Sequence, residues 1–240
     1  MCSSDLFVTK MNQRAASLHM THTTFADPAG ASTQTVSTPV DLMTLGMAAM
    51  QQDVLAEIVS LPDTTLPVAG RVYNVNGALG QKGIVGIKTG FGLNTGADFL
   101  FAAATVVDGR QLTLYGCVMG QPTLDIALSV AEALIGAMQP ALKARALVSR
   151  DDVVGEYDTA WGSHSNLVAT KGVTFVEWPG TILHMRIDAI HVPSGDLPAT
   201  GSPAGSLHVT LGDQSADVPL ITAGSLSSPS LTWRLFRIHF

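Results

Sequence analysis

The chain has 240 residues, 46% of them hydrophobic, which is enough for one ordinary core and a smaller second one and excludes an intrinsically disordered protein. A net charge of -6 with only 13% charged residues leaves no basic surface to follow a phosphate backbone, so no nucleic-acid partner is predicted. Two cysteines make neither a disulfide framework nor a metal-ligand spacing, and the longest uncharged apolar stretch, Phe99 to Val107, is far short of the roughly 20 residues of a bilayer-spanning helix.

Met1 to Leu6 carries neither the basic-then-apolar order of a secretion signal nor a helix cap, and reads as joined on to the fold. Localisation is therefore not legible at this end. Val8, Met11, Ala15 and Leu18 recur at helical spacing with Lys10, Asn12 and Arg14 opposite, predicting an amphipathic helix that ends at His19 or Met20. Thr21 to Gly30 is dense in turn formers and is predicted to be an ordered loop pinned by Phe25. Thr38, Pro39 and Asp41 then supply an N-cap, a first-turn proline and a first-turn acid for a second helix, with Leu42, Leu45 and Ala49 on its apolar face. Gln51 to Ser60 reads as a third helix, packed through Val54 and Ile58.

Pro62, Pro67, Asn74, Asn76, Gly77 and Gly80 make a turn-rich lead-in to Gly86-Ile87-Lys88-Thr89-Gly90-Phe91, where a β-leaning run delivers a cation, a hydroxyl and a glycine in succession. In a strand, Ile87 and Thr89 share one face and Lys88 takes the other, while Gly90 leaves the neighbouring backbone uncovered. An extended ligand can pair with such a strand edge, with the Thr89 hydroxyl and the Lys88 ammonium near its anionic end. The triplet alone is weak, because chance produces it in about one chain in twenty of this length. An edge strand with a solvated lysine explains it equally well.

Gly92, Asn94 and Gly96 provide a turn, after which Ala97 to Val107 and Gln111 to Met119 read as strands joined at Asp108-Gly109, with the triplet strand as the third of the meander. Cys117, in the last of these, is predicted to be a buried small hydrophobe. Leu124, Leu128, Ala131, Ile135 and Met138 mark a helix across the sheet that ends near Pro140.

From about Val148 the texture changes to short strands: Val153 to Tyr157, Leu167 to Thr170, Val173 to Trp178, Ile182 to Val192, Leu207 to Leu211 and Val218 to Thr222. Pro179-Gly180 and Gly212-Asp213 are turns, and Pro193 to Gly205 is a longer Pro/Gly/Ser loop. This predicts two domains, 1–145 and an all-β 146–240. Trp233 to Arg237 reads as an edge strand in preference to a membrane-touching strip, because two arginines are too few for stable attachment.

Phe7-Val8-x-x-Met11-Asn12, then Leu18-x-Met20-Thr21-x-Thr23-x-Phe25-x-x-Pro28-x-Gly30, then Gly86-Ile87-Lys88-Thr89-Gly90 resemble in order and spacing the serine D-Ala-D-Ala carboxypeptidases, the low-molecular-mass penicillin-binding proteins. The resemblance runs from Phe7 to about Lys143, and the tail from Tyr157 resembles the β domain that follows in some members. It implies part of the α/β (α+β) penicillin-binding, β-lactamase-like transpeptidase fold, followed by a small all-β domain. Val85 departs from the Asp that the family often has there, and the Phe91-Gly92-Leu93-Asn94 turn belongs to a variable segment.

What the resemblance implies is serine acyl transfer on peptidoglycan stem peptides ending in D-Ala-D-Ala, in an extracytoplasmic protein whose full-length form β-lactams inhibit. Lys88 and Thr89 would be catalytic, Lys88 orienting protons and charge around the serine. Thr89, Gly90 and Phe91 would bind substrate: Thr89 its terminal carboxylate, and the Phe91 backbone N–H as one oxyanion donor. No serine in the chain begins Ser-x-x-Lys or Ser-x-Asn, the family's other two motifs, which both precede the segment matching Phe7. The resemblance thus implies an N-terminally truncated, inactive enzyme. A β-lactamase-like hydrolase shares the triplet but not the β tail, and a non-catalytic wall-binding protein would keep the groove without the nucleophile.

None of the seven histidines stands at a recognised ligand spacing from another His, Cys or carboxylate; His19 and His22 border a loop, and His184, His191 and His208 fall in predicted strands. No metal and no cofactor are predicted. Asp41, Asp125 and Asp152 read as caps, not as catalytic acids.

Overall fold

The computed structural model describes residues 3–92, 95–190 and 197–236. Cys2, the Leu93-Asn94 part of the predicted turn, His191 with the end of its strand, the start of the Pro193 loop up to Asp196, and Arg237 lie outside the described residues. The chain forms two compact units, 1–140 and 141–240.

In the first unit, α1 (Ser3–Ser17) begins well before the predicted start near Val8. Asp5 sits in its first turn, where a negative charge complements the unpaired N–H groups. The loop after α1 is pinned at Phe25 through its backbone: Asn12 donates from Nδ2 to the Phe25 carbonyl at 2.8 Å and accepts the Phe25 N–H at 2.9 Å. Asp41 is buried and accepts the His22 N–H and the Thr23 hydroxyl, tying the same loop to α2 (Pro39–Met50). The Thr38 side chain caps α2 by accepting the Asp41 N–H.

The helix α3 (Asp53–Ser60) corrects the predicted packing, because Val54 and Ile58 are 71% and 57% exposed. Its contact is Val59, which lies over Gly86 so closely that a Cβ there would come within 2.8 Å of Val59 Cγ2. The turn-rich stretch that follows contains a small hairpin, β1 (Asp63–Leu66) with β2 (Gly70–Tyr73), closed by a two-pronged Arg71–Asp63 pair.

A three-stranded antiparallel sheet, in order β3 (Ile84–Gly92), β4 (Gly96–Val107) and β5 (Arg110–Gln121), carries the triplet. Asp108 and Gly109 both have positive φ, at 48° and 80°, the geometry that a tight two-residue hairpin needs. On one side, Phe99, Phe101, Ile84 and Val118 pack against Ala127, Leu128, Ala131 and Ile135 of α4 (Leu124–Met138). The stretch Leu124–Ala141 is long and apolar enough to cross a membrane by length and composition. It is nonetheless the helix that closes this core, and it carries Asp125 and Glu132. From α2, Gly46 approaches Leu100 and Ile87, where its missing side chain makes room for their methyl groups.

The second unit is built of β-strands apart from a short C-terminal helix. Its strand β6 (Lys143–Val148) pairs with β9 (Val173–Glu177), so residues 141–145 group with this unit and not with the first. A five-stranded antiparallel sheet runs in the order β10 (Leu183–Ala189), β11 (Pro203–Leu211), β12 (Gln214–Thr222), β8 (His164–Ala169) and β7 (Val153–Asp158). Leu167, Leu207, Val209, Val218 and Leu220 of this sheet meet Val148, Val173 and Phe175 of the β6–β9 pair in one core. Strict alternation leaves Glu156, Asp158, His164, His208 and Asp217 outside it.

Two further elements differ from the sequence reading. The strand β11 already begins at Pro203, since a proline is tolerated as the first residue of a strand. The C-terminal segment is a short helix, α5 (Leu231–Phe236), and not an edge strand. Ser230 starts it by accepting the Trp233 N–H on Oγ and the Arg234 N–H on its carbonyl, and Trp233 packs edge-on against Trp161, 5.6 Å between centroids.

Phe99 is fully buried at the centre of the first core. Phe99→Ala is expected to lower the stability of this unit by about 3–5 kcal/mol, read as a fall in the urea midpoint. A loss under about 1 kcal/mol would contradict this account of the core.

Candidate functional site

The strand β3 is an edge. It is bonded to β4 on one side only, and among the described residues no strand bonds to its other side. Lys88 stands opposite Leu100, Thr89 opposite Phe99, Gly90 opposite Asp98 and Phe91 opposite Ala97. A register shift between Ile84 and Gly86 marks a bulge just before this run, a device that re-aims an edge strand. Beneath the run, Val59 of α3 and Gly46 of α2 fix the strand's position through Gly86 and Ile87.

The four predicted site residues therefore lie in line on one exposed strand. The Lys88 side chain is exposed, makes no ion pair among the described residues, and donates from Nζ to the carbonyl oxygen of Thr89. The Thr89 side chain is half-buried and has no hydrogen-bond partner among the described residues. The Phe91 ring is 63% exposed. A cation, a free hydroxyl, an exposed ring and an open backbone edge make a surface suited to an extended peptide with an anionic terminus.

Gly90 and Gly86 show which glycines the fold itself requires. A Cβ on Gly86 would collide with Val59, whereas a Cβ on Gly90 would meet only the Asp98 Cβ, at an ordinary 3.9 Å, and Gly90 does not have a positive φ. Nothing inside the described structure requires a glycine at 90.

Next to this row, Asp98 accepts the Gly120 N–H on Oδ1 at 2.8 Å. Cys117, opposite Leu100 on β5, is half-buried and not fully buried as predicted. Burial, with the nearby Asp98 charge adding to it, pushes its thiol up to about 11, which makes it a poor nucleophile near neutral pH. A cavity of about 430 Å³ is lined by Leu147, Val154, Ile187 and neighbours of the second unit only, and includes no residue of the triplet.

A family model described as D-alanyl-D-alanine carboxypeptidase matches residues 2–123, just over half of the chain. The chain belongs to the D-alanyl-D-alanine carboxypeptidase family. Its triplet strand falls inside the matched segment. The fold is similar to penicillin-binding protein 5 from Haemophilus influenzae, at 21% identity and a TM-score of 0.58, covering 92% of this chain and 66% of that one. It is also similar to the D-alanyl-D-alanine carboxypeptidase DacD from Francisella tularensis, at 17% identity and a TM-score of 0.54, covering 92% of this chain and 68% of that one. Penicillin-binding protein D2 from Listeria monocytogenes, in its ampicillin-bound form, matches at 27% identity and a TM-score of 0.50 over 54% of each chain. The chain thus spans about two thirds of the first two structures and about half of the third. No curated protein matches its sequence.

The two glycines generate a paired expectation. Gly86→Ala should lower the melting temperature measurably, while Gly90→Ala should leave it unchanged or slightly raised, because it clashes with nothing and restricts the unfolded chain. A large thermal destabilisation by Gly90→Ala in differential scanning calorimetry would show that the fold, and not an external ligand, requires the glycine.

Proposed function

We propose that the chain supplies the substrate-binding edge of an extracytoplasmic serine D-Ala-D-Ala carboxypeptidase that trims peptidoglycan stem peptides, with the nucleophilic serine carried on polypeptide outside these 240 residues. The observation that carries this reading is the open edge of β3, where Lys88, Thr89 and a glycine that the fold does not require stand in line. The family match adds the chemistry that such an edge serves.

In this reading a stem peptide lies antiparallel along β3, and the Thr89 hydroxyl donates to the carboxylate of its last D-alanine. The Lys88 ammonium places positive charge beside the reacting groups, and the Phe91 N–H is one donor to the oxyanion that forms when the serine attacks the penultimate carbonyl. The terminal D-alanine then leaves as the amine, and water releases the acyl-enzyme. β-Lactams would acylate the same serine. The structurally similar Listeria protein, crystallised with ampicillin, supports that inhibitor class.

With no Ser-x-x-Lys and no Ser-x-Asn, the 240 residues alone should neither turn over peptide nor acylate. The same absence favours a second reading, a wall-binding protein that keeps the groove without catalysis. Both readings predict no covalent adduct between this chain and a fluorescent penicillin on a denaturing gel. A stable adduct would overturn both.

Joining the chain to an N-terminal segment of the family that carries both serine motifs separates them. The enzyme reading predicts penicillin labelling and D-alanine release in that protein, with Thr89→Val lowering kcat/KM by about ten- to a hundredfold, as loss of a hydrogen bond to a charged group would. Thr89→Ser should be mild, and Lys88→Ala should slow both peptide turnover and acylation by more than Thr89→Val does. Near-wild-type rates for Lys88→Ala would reduce Lys88 to a solvated edge lysine and remove the site assignment.

A further inference from the structure

Three metal-ligating side chains that are apart in the sequence converge on the outward face of the second unit. The Glu156 and Asp158 side chains lie two residues apart on β7 and so share a face; Asp158 is paired with His164 on β8. One ligand atom from each of the three lies within 4.8 Å of the other two. His164 Nδ1 is 3.3 Å from an Asp158 oxygen and 3.9 Å from a Glu156 oxygen. Among the described residues no other three such groups come this close, and the His208–Asp217 pair of the same sheet face lacks a third ligand.

We infer that Glu156, Asp158 and His164 form a divalent transition-metal site, with zinc the ion that the donor set fits. Two carboxylates brought within 4.8 Å of each other on one strand repel, and a divalent cation balances both charges at once. The imidazole nitrogen is a borderline donor and, beside two harder carboxylate oxygens, makes a mixed set that suits zinc and its neighbours better than calcium or magnesium, which take all-oxygen shells. Ligand atoms around a tetrahedral zinc stand about 3.3–3.6 Å apart, from bonds of about 2.0–2.2 Å, so closure asks these side chains to move by about an ångström. All three are exposed and free to adjust by rotamer, and the paired strands beneath hold their Cα positions. Exposure also leaves the remaining coordination positions to water, which makes the site an open one.

Isothermal titration of the full chain with zinc chloride tests this, with cobalt absorption as an independent readout. One equivalent of zinc should bind, and His164→Ala should weaken its dissociation constant by at least about tenfold, the lower end of what loss of even an outer-shell partner costs. Asp158→Asn should weaken it similarly. His208→Ala, which removes an exposed histidine with a single carboxylate partner, should leave binding unchanged. Cobalt should give a d–d band in the parent chain that His164→Ala abolishes. No saturable zinc binding, or equal binding by His164→Ala and the parent, would overturn the site and leave the three residues as a surface ion-pair cluster.

Discussion

An edge strand has one side bonded and one side unmet, and the first unit is built to hold β3 in that condition. The unmet side is normally a liability, because unpaired N–H and C=O groups invite any extended chain. Here the bonded side is fixed by the long antiparallel β4, the lower end of the strand by Val59 over Gly86, and its base by Gly46 of α2 against Ile87 and Leu100. A strand held this firmly loses little further freedom when a peptide pairs with it, so the entropy cost of binding falls mainly on the peptide. Side-chain choice adds selectivity to this template. In the proposed reading the Lys88 charge favours an anionic terminus, and the bare Gly90 lets the ligand backbone come close.

The rigidity of β3 rests in turn on the core beneath the sheet. Phe99, directly opposite Thr89, is buried against α4, so the strand that carries the candidate hydroxyl is registered by one of the largest side chains of that core. The loop from residue 21 to residue 38 is held by polar groups instead: the two reciprocal Asn12–Phe25 bonds and the Asp41 carboxylate of α2, whose burial is offset by the donors around it. The family-matched segment therefore includes two means of fixing chain positions, apolar packing under the sheet and hydrogen bonding in the loop.

Local chemistry explains what was legible in the sequence. Thr38-Pro39 starts a helix and Asp108-Gly109 closes a hairpin because each preference is set within a few residues, and the triplet strand joins the meander because its apolar run has nowhere else to pair. What required long-range information was not legible. Val54 and Ile58 have helical spacing, yet the sheet meets α3 at Val59, a contact fixed by a glycine twenty-seven positions later. Trp233 to Phe236 alternates well enough for a strand, but Ser230 and the Trp161 ring decide for a helix. The Glu156, Asp158 and His164 trio was invisible to a search for ligand spacings, since cross-strand register and not sequence distance brings it together. An acid-x-acid pair on one strand, with a histidine just beyond the following turn, is the signal that would have found it.

The unmet edge of β3 is proposed to receive a peptide ending in D-Ala-D-Ala. The most direct measurement is a two-dimensional NMR titration of the isotope-labelled chain with an N-acylated tripeptide of that ending, alongside its L-Ala-L-Ala counterpart. The account predicts saturable shifts confined to the amides of β3 and its flanking turn, strongest around Thr89, Gly90 and Phe91, and much weaker with the L-isomer. Shifts that avoid β3, or that are the same for both stereoisomers, would contradict it.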